Sequence, residues 1–169
     1  SDDCNLSRLR EISKIEKIDI DDETLKQISI YSDGGLRDSL SALDKISSYK
    51  NGKITVEDFY EINDMISKKD MENFYEIIMS MDIKKMILNL DKFYSSGKNI
   101  VEIMNQFLIF LKDKIVEYYL SGTDLDVSKT EKLLVKTNEI MFELKKASKP
   151  YIYVEIFLLD YINSIKEND

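Results

Sequence analysis

The fold of this 169-residue chain is decided by residues 32–45, Ser-Asp-Gly-Gly-Leu-Arg-Asp-Ser-Leu-Ser-Ala-Leu-Asp-Lys. Gly34 and Gly35 end one helix, because glycine readily adopts the left-handed backbone conformation that follows a helix end. A new helix is predicted to begin directly behind this turn, with apolar residues at helical spacing that face inward: Leu36, Leu40, Leu43 and Ile46. The stretch therefore predicts two helices joined by a tight glycine turn.

The same helical spacing runs through most of the chain. Proline occurs once and glycine five times, so few residues interrupt it. Four short helices are predicted over residues 5–15, 22–31, 36–48 and 56–63, the first with Leu6, Leu9, Ile12 and Ile15 on one face. Five longer helices are predicted over residues 70–81, 83–95, 100–120, 128–146 and 151–165. The only strand candidates are residues 18–20 and 53–56, so we expect an all-α chain.

The change in helix length near residues 65–69 predicts two domains. The first is a short helical domain over residues 1–66, and the second is a five-helix bundle over residues 67–169. The last predicted helix, residues 151–165, is apolar on nearly every side. Such a helix is usually buried at the centre of a bundle, and it can also form an assembly surface. Both properties can hold in one helix, so the sequence leaves both open.

The composition excludes several kinds of chemistry. The chain has no histidine and a single cysteine, Cys4, so it cannot form a Ser-His-Asp triad, a histidine metal site or an intramolecular disulfide. Acidic pairs are expected by chance among 32 acidic residues. No Gly-Lys-Ser/Thr follows Gly34-Gly35, so the chain lacks a phosphate-binding loop of its own. We predict no catalytic residue, no metal site and no cofactor within this chain.

The charge and hydropathy of the chain indicate its surroundings. The net charge of −8 offers no broad electrostatic surface for nucleic acid. The first ten residues are polar and acidic, unlike a signal peptide, and the apolar runs are too short to span a bilayer. We therefore expect a cytoplasmic chain with no membrane partner.

Arg37 is one of three arginines in a chain with 21 lysines. It falls in the first turn of the helix predicted from Leu36, where the helix dipole disfavours positive charge. An arginine at this place suggests that its planar guanidinium grips phosphate oxygens in pairs. The alternative is an ordinary salt bridge to Asp33 or Asp38, and the residue pattern by itself leaves both open.

Residues 32–45 resemble the gamma/tau subunit of bacterial DNA polymerase III, the motor subunit of the sliding-clamp loader. The residues that match that family's lid pattern are Gly34, Gly35, Leu36, Arg37, Asp38, Leu40, Ser41, Leu43, Asp44 and Lys45, whereas Ser39 and Ala42 depart from it. A second match with the family lies downstream, at Asn138, Glu139, Glu143, Leu144, Lys145, Pro150, Glu155, Leu158 and Leu159. Tyr151 stands where the family usually has an arginine after the proline.

The resemblance implies that residues 1–66 form the lid of an AAA+ ATPase and that residues 67–169 form its collar. In such a lid Arg37 would be the sensor-2 arginine, which reaches the γ-phosphate of ATP bound with Mg²⁺ by the preceding domain. Gly34, Gly35, Leu36 and Asp38 would complete the lid motif. Because this chain contains neither Walker motif, the resemblance implies a fragment without the ATPase domain. Its parent would be a subunit of a replicative DNA polymerase, a nucleotidyltransferase.

The resemblance also implies partners for the collar. It would assemble with gamma/tau copies, delta and delta-prime into a five-subunit ring, and it would reach DNA and the sliding clamp only through that complex. The candidate interface residues are Lys145, Pro150, Glu155, Phe157 and Leu158. Two alternatives remain open. The chain could come from another AAA+ subunit, delta-prime or replication-factor-like, or it could be a helical adaptor without a nucleotide link.

Overall fold

The computed structural model describes residues 2–32 and 35–168 of the chain. Within these ranges it forms nine α-helices and no strand longer than an isolated bridge, so the all-α prediction is confirmed. The helices are α1 (Asp2–Ile15), α2 (Asp22–Tyr31), α3 (Leu36–Ser47), α4 (Val56–Ile62), α5 (Lys68–Met79), α6 (Ile83–Ser95), α7 (Ile100–Ser121), α8 (Val127–Lys146) and α9 (Pro150–Glu167). The chain separates into two compact units between Asn63 and Asp64.

The first unit comprises α1 to α4 around a small core. Its buried apolar residues are Leu9, Leu25, Ile28, Leu43, Ile46, Ile54 and Phe59. Helix α2 begins where the Asp21 carboxylate accepts the Thr24 amide at 2.8 Å, and α4 begins at a capping box between Thr55 and Asp58. The two predicted extended pieces meet in a single parallel bridge between Ile20 and Ile54. Local caps and one backbone bridge therefore define this unit together with its core.

Two inward-facing predictions for the first unit are wrong. Ile15 is 68% exposed, because the buried stripe of α1 is centred on Leu9 and Ser13, and at about 100° per residue Ile15 lies roughly 120° away from Leu9. Leu36 is 38% exposed, because the buried stripe of α3 runs through Ser39, Leu43 and Ile46 and ends one turn inside the helix. Helical spacing therefore predicted the correct helices, but each predicted buried stripe included one residue too many, Ile15 in α1 and Leu36 in α3.

The second unit comprises α5 to α9 around a large aromatic and aliphatic core. Phe74 lies at its centre, with its ring 5.1 Å from that of Phe107 and 5.6 Å from that of Phe93. All three side chains are buried, and the edge-to-face geometry is the one that aromatic quadrupoles prefer. The core thus joins α5, α6 and α7 through one aromatic cluster.

Buried polar contacts also hold the second unit together. The side-chain amide of Gln106 donates to the Ile66 carbonyl at 2.7 Å, and its oxygen accepts the Ile66 amide at 3.3 Å. The Tyr161 hydroxyl donates to the Lys129 carbonyl at 2.8 Å, and burial raises the pKa of Tyr161 to about 12. These bonds satisfy backbone groups that burial would otherwise leave unpaired. They attach the segment before α5 to α7, and α8 to α9.

Helix α9 is buried on one face, as one of the two interpretations of the sequence predicts, and it has exposed apolar residues on another; its use as an assembly surface stays a prediction. Val154, Leu158 and Ile162 are buried in the core of the second unit, whereas Ile152 is 61% exposed and Ile156 is 60% exposed. One face of the helix therefore packs inside the unit and another presents apolar side chains at the surface. None of the described helices combines the length and apolarity needed to cross a membrane.

Candidate functional site

The candidate site begins at the turn before α3. Gly35 has φ 81° and ψ −143°, a backbone conformation that a residue with a Cβ rarely adopts. Gly34, the other predicted turn glycine, lies outside the described residues. The predicted left-handed glycine end of α2 is not seen at Gly35, because α2 ends at Tyr31 with an extended Ser32 and the ψ of Gly35 lies far from the left-handed helical region. Helices α2 and α4 to α8 each begin with a side chain that accepts a first-turn amide, but Gly35 offers none to α3. The amides of the first turn of α3 therefore lack a side-chain acceptor at the N-cap.

Arg37 lies in this first turn, and its side chain is exposed. Within the described residues, no hydrogen bond or ion pair holds its guanidinium. The alternative salt bridge to Asp38 is therefore not formed, and Asp33 lies outside the described residues. An exposed guanidinium beside uncapped helix amides suits an anion such as a phosphate oxygen. The described residues thus leave the Arg37 guanidinium exposed and without a carboxylate partner among them.

The other two arginines are bound within the first unit. The Arg8 guanidinium lies 3.2 Å from the Glu11 carboxylate. Arg10 donates to both carboxylate oxygens of Asp22, at 2.6 and 2.9 Å, and these hydrogen bonds hold the pKa of Asp22 below its usual range. Sequence reasoning missed this pair, although an arginine in a lysine-rich chain was the available signal. Arg10 attaches α1 to α2, so its role is structural.

Two further lid-motif residues, Leu36 and Asp38, flank Arg37 in the chain. Leu36 and Asp38 are exposed in the same turn, and Asp38 contributes a negative charge beside Arg37. Ser39, which departs from the family pattern, is fully buried, and its hydroxyl has no hydrogen-bond partner among the residues that the structure describes. A buried hydroxyl without a partner costs free energy, so an apolar residue suits this position better.

The predicted collar residues lie around the end of α8 and the first turns of α9. Lys145 is exposed, and Pro150, Glu155 and Phe157 are half-buried. Leu158 is fully buried inside its own unit, so it offers no surface to a partner and is a core residue instead. A groove of about 790 Å³ opens beside these residues, and its apolar lining is Ile140, Ala147, Ile152, Tyr153, Ile156 and Phe157. Of the five candidates, Phe157 alone lines this groove.

Tyr151 stands where the resembled family usually has an arginine, and its side chain makes contacts within its own unit. Its hydroxyl donates to the Lys98 carbonyl at 2.7 Å, and its ring meets Tyr94 edge-to-face at 5.1 Å. Burial raises its pKa to about 12. The side chain therefore attaches the start of α9 to the turn before α7, and it presents no charge to a partner.

Metal ligation has no support in the described residues. No three histidine, cysteine, aspartate or glutamate side chains come close enough there to hold a metal ion. Cys4 is a free and exposed thiol.

Comparison with known proteins gives a consistent set of relatives. The chain is 31% identical to DNA polymerase III subunit gamma/tau of Mycoplasma genitalium over 136 residues, which cover 80% of this chain and 23% of the relative. It is 32% identical to the replication factor C small subunit of Picrophilus torridus over 118 residues, 70% of this chain and 30% of the relative. It is 29% identical to DNA polymerase III subunit gamma of Buchnera aphidicola over 96 residues, 57% of this chain and 27% of the relative.

These relatives indicate a protein of the clamp-loader family. Within that class, the resemblance to the gamma/tau subunit of DNA polymerase III is confirmed, because subunits of that name match most of the chain. The chain spans between 23% and 30% of the length of the three relatives described above. No protein-family model matches it.

Proposed function

We propose that the first unit is the lid of an AAA+ clamp-loader subunit and that Arg37 is its sensor-2 arginine. The observation that carries this proposal is the exposed Arg37 guanidinium beside the uncapped first turn of α3. In this role Arg37 would contact the γ-phosphate of ATP held, with Mg²⁺, by another domain of the parent protein. The ATPase chemistry would lie in that domain, since the sequence of this chain contains no phosphate-binding loop.

The arrangement of Arg37 fits a phosphate contact in two respects. Its guanidinium can donate two hydrogen bonds in one plane, which matches phosphate geometry better than a lysine ammonium does. Within residues 2–32 and 35–168 it also forms no ion pair like those of Arg8 and Arg10. The 12-residue helix α3 adds the favourable potential of its N-terminus.

The test of this role compares Arg37→Ala with Arg37→Lys in the intact parent protein. A lost charge-assisted hydrogen bond of about 1.5–3 kcal/mol corresponds to a roughly 10- to 100-fold loss of ATP-dependent clamp loading. Arg37→Lys keeps the charge but loses the paired hydrogen bonds, so it should be intermediate. Loading assays with purified variants would measure both, with circular dichroism to check the fold.

Arg8→Ala is the matched control, because Arg8 is exposed in the same unit but forms an ion pair with Glu11. It should leave loading unchanged. Unaltered loading with Arg37→Ala would remove the sensor role, and an equal loss with Arg8→Ala would show a general effect of charge. The first outcome would favour the helical adaptor, which has no nucleotide link.

For the second unit we propose a collar that assembles with other clamp-loader subunits, in the gamma/tau case with gamma/tau copies, delta and delta-prime. The exposed apolar residues Ile152, Tyr153 and Ile156 beside the α8–α9 groove support this role, because large exposed apolar patches mark protein contacts. DNA and the sliding clamp would be reached only through the complex. This function would place the parent protein in the cytoplasm.

Light scattering on a sizing column tests the collar, with the chain alone and mixed with delta and delta-prime of the same organism. We expect a defined mixed complex that Ile156→Asp abolishes. Leu88→Asp is the control, because Leu88 is 57% exposed on α6 and does not line the groove. A chain that stays monomeric with both partners would remove this assembly as its function.

A second candidate has support from the Picrophilus torridus relative, which is 32% identical over 70% of this chain. The parent could be a replication-factor-type subunit with the same lid and collar but other partners. Arg37 would have the same role in that protein. The mixing experiment separates the two candidates, since a replication-factor-type chain should not join delta and delta-prime.

A further inference from the structure

A second cleft lies in the first unit, away from Arg37. It opens between the end of α1, the middle of α3 and the loop before α4, and its volume is about 560 Å³. Its apolar lining consists of Ile12, Ile18, Leu40, Leu43 and Ile54. We call it the α1–α3 cleft. Its volume lies within the range of about 300–1,000 Å³ that is typical of ligand pockets.

The charged residues that line the cleft are mainly acidic. Glu16, Asp19 and Asp44 all line it, and no ion pair to the described residues neutralises their carboxylates. Of the two lysines there, Lys50 lies 2.8 Å from Asp58 and is therefore already paired. Lys17 is the other. The cleft thus combines an apolar floor with an excess of unneutralised negative charge.

The walls of the cleft are held in place before any ligand arrives. The Ile54 amide donates to the Asp19 carbonyl at 2.7 Å, which joins the loop before α4 to the segment after α1. The Lys50–Asp58 ion pair and the capping box at Thr55 also attach that loop to the start of α4. A preformed site binds more tightly, because less order has to be created on binding.

We propose that the α1–α3 cleft binds an extended peptide segment in which apolar side chains are flanked by lysine or arginine. The apolar side chains would occupy the floor, and the cations would meet the carboxylates of Glu16, Asp19 and Asp44. Acidic peptides and nucleic acid would be repelled by the same carboxylates. The site is separate from the sensor role, since Asp44 lies seven residues, or about 10 Å, along α3 from Arg37.

The first test is an NMR titration of this chain with the synthetic peptide Gly-Lys-Leu-Phe-Arg-Gly. We expect saturable shifts that concentrate on the methyl groups of Ile12, Leu40, Leu43 and Ile54. Two control peptides probe the chemistry, one with glutamate in place of both cations and one with serine in place of Leu and Phe. No saturable binding, shifts elsewhere in the chain, or equal binding of either control peptide would overturn the proposal.

Charge-reversal variants provide the second test. Asp44→Lys should lower the affinity of the chain for the peptide by about tenfold, because one attractive contact becomes repulsive. Glu57→Lys is the matched control, since Glu57 is exposed on α4, does not line the cleft and changes the net charge equally. Equal affinity in the two variants would contradict the site.

A salt titration of the unaltered chain keeps the test valid if Asp44→Lys fails to fold. Peptide affinity should fall between 50 and 500 mM salt as the carboxylates are screened. A peptide affinity that does not depend on salt would contradict the proposed contacts between the peptide's cations and the carboxylates of Glu16, Asp19 and Asp44.

Discussion

The two units of this molecule are held together in different ways. In the first, short helices are joined by contacts near the surface, such as the Arg10–Asp22 pair and the capping box of Thr55 and Asp58. In the second, long helices enclose the aromatic cluster of Phe74, and buried side chains such as Gln106 bind the backbone of a neighbouring segment. The first unit therefore depends on caps, turns and exposed ion pairs, and the second on burial.

This difference corresponds to the roles proposed for the two units. The first presents a single exposed arginine from the start of a helix, so what matters there is the conformation of the turn at Gly35. The second would bind partners through the exposed face of α9, and that face needs a rigid core behind it.

Removing a buried aromatic ring should give the largest effect, confined to the second unit. Phe107→Ala leaves a cavity beside Phe74 and should lower the free energy of unfolding of that unit by about 3–5 kcal/mol. Hydrogen exchange should show faster exchange across α5 to α9 and little change in α1 to α4. Phe142→Ala is the control, because Phe142 is 64% exposed and its ring forms a cation–π pair with Lys146, worth about 0.5–1 kcal/mol. Equal acceleration in both units would show that they unfold as one.

A backbone substitution should affect the first unit more than the second. Gly35→Ala should lower the free energy of unfolding by about 1–3 kcal/mol, because φ 81° with ψ −143° lies outside the regions open to residues with a Cβ. Gly122→Ala should cost only about 1 kcal/mol, because φ 65° with ψ 37° is the left-handed helical region. Neither added Cβ meets a steric clash, so thermal unfolding would measure the backbone term alone. Equal costs would show that the turn at Gly35 can rearrange.

Each unit has one buried hydroxyl whose removal should stabilise the protein. The hydroxyls of Ser39 and Thr137 are buried and have no hydrogen-bond partner. Ser39→Ala and Thr137→Val should each raise the free energy of unfolding by about 1 kcal/mol, because a desolvated and unpaired group is removed. Ser47→Ala is the contrasting control, since its hydroxyl donates to the Asp44 carbonyl at 2.8 Å. Destabilisation by Ser39→Ala would indicate a hydrogen bond to water at that site.

The pH dependence of stability should differ in direction between the units. The hydrogen bond from Lys50 lowers the pKa of Asp58 below 3.8, so its stabilisation is complete above that pH and is lost as the pH falls further. Burial raises the pKa of Tyr161 from 10.0 to about 12, so its stabilisation is complete below pH 10 and is lost as the pH rises to 12.

Asp58→Asn and Tyr161→Phe test these two directions by thermal unfolding across the pH range. The cost of Asp58→Asn should shrink in acid, where the carboxylate of the parent chain is protonated. Tyr161→Phe should remove part of the alkaline loss of stability, because phenylalanine has no hydroxyl to ionise. A cost of Asp58→Asn that is the same at pH 2.5 and pH 7 would contradict the ion-pair explanation.

Much of the helical framework could be read from local signals. Helical spacing predicts helices over residues 22–31 and 83–95, and α2 and α6 have these bounds in the structure. Local signals could not predict which residue is the last buried one on the apolar face of a helix. Ile15 has the spacing of a core residue, but its exposure depends on where the neighbouring helices stop covering α1.

The candidate site shows the same limit. Arg37 could be singled out because an arginine in a first helical turn is unusual in a lysine-rich chain. That Arg10 is bound to Asp22, 12 residues away, depends on the packing of α1 against α2, and the rarity of arginine in this chain does not indicate which carboxylate is the partner. Leu158 was chosen as a surface residue because it belongs to a motif, whereas packing places it in the core.

The sequence by itself determined the all-helical class, the glycine turn before α3 and the resemblance to clamp-loader subunits. These properties depend on residues close together in the chain, such as Gly35 and Arg37, whose conformational preferences and order are local. The tertiary structure alone decided which charges are paired, which face of α9 is exposed and where the α1–α3 cleft opens. Those properties depend on contacts between residues far apart in the chain, and these contacts form only when the helices pack.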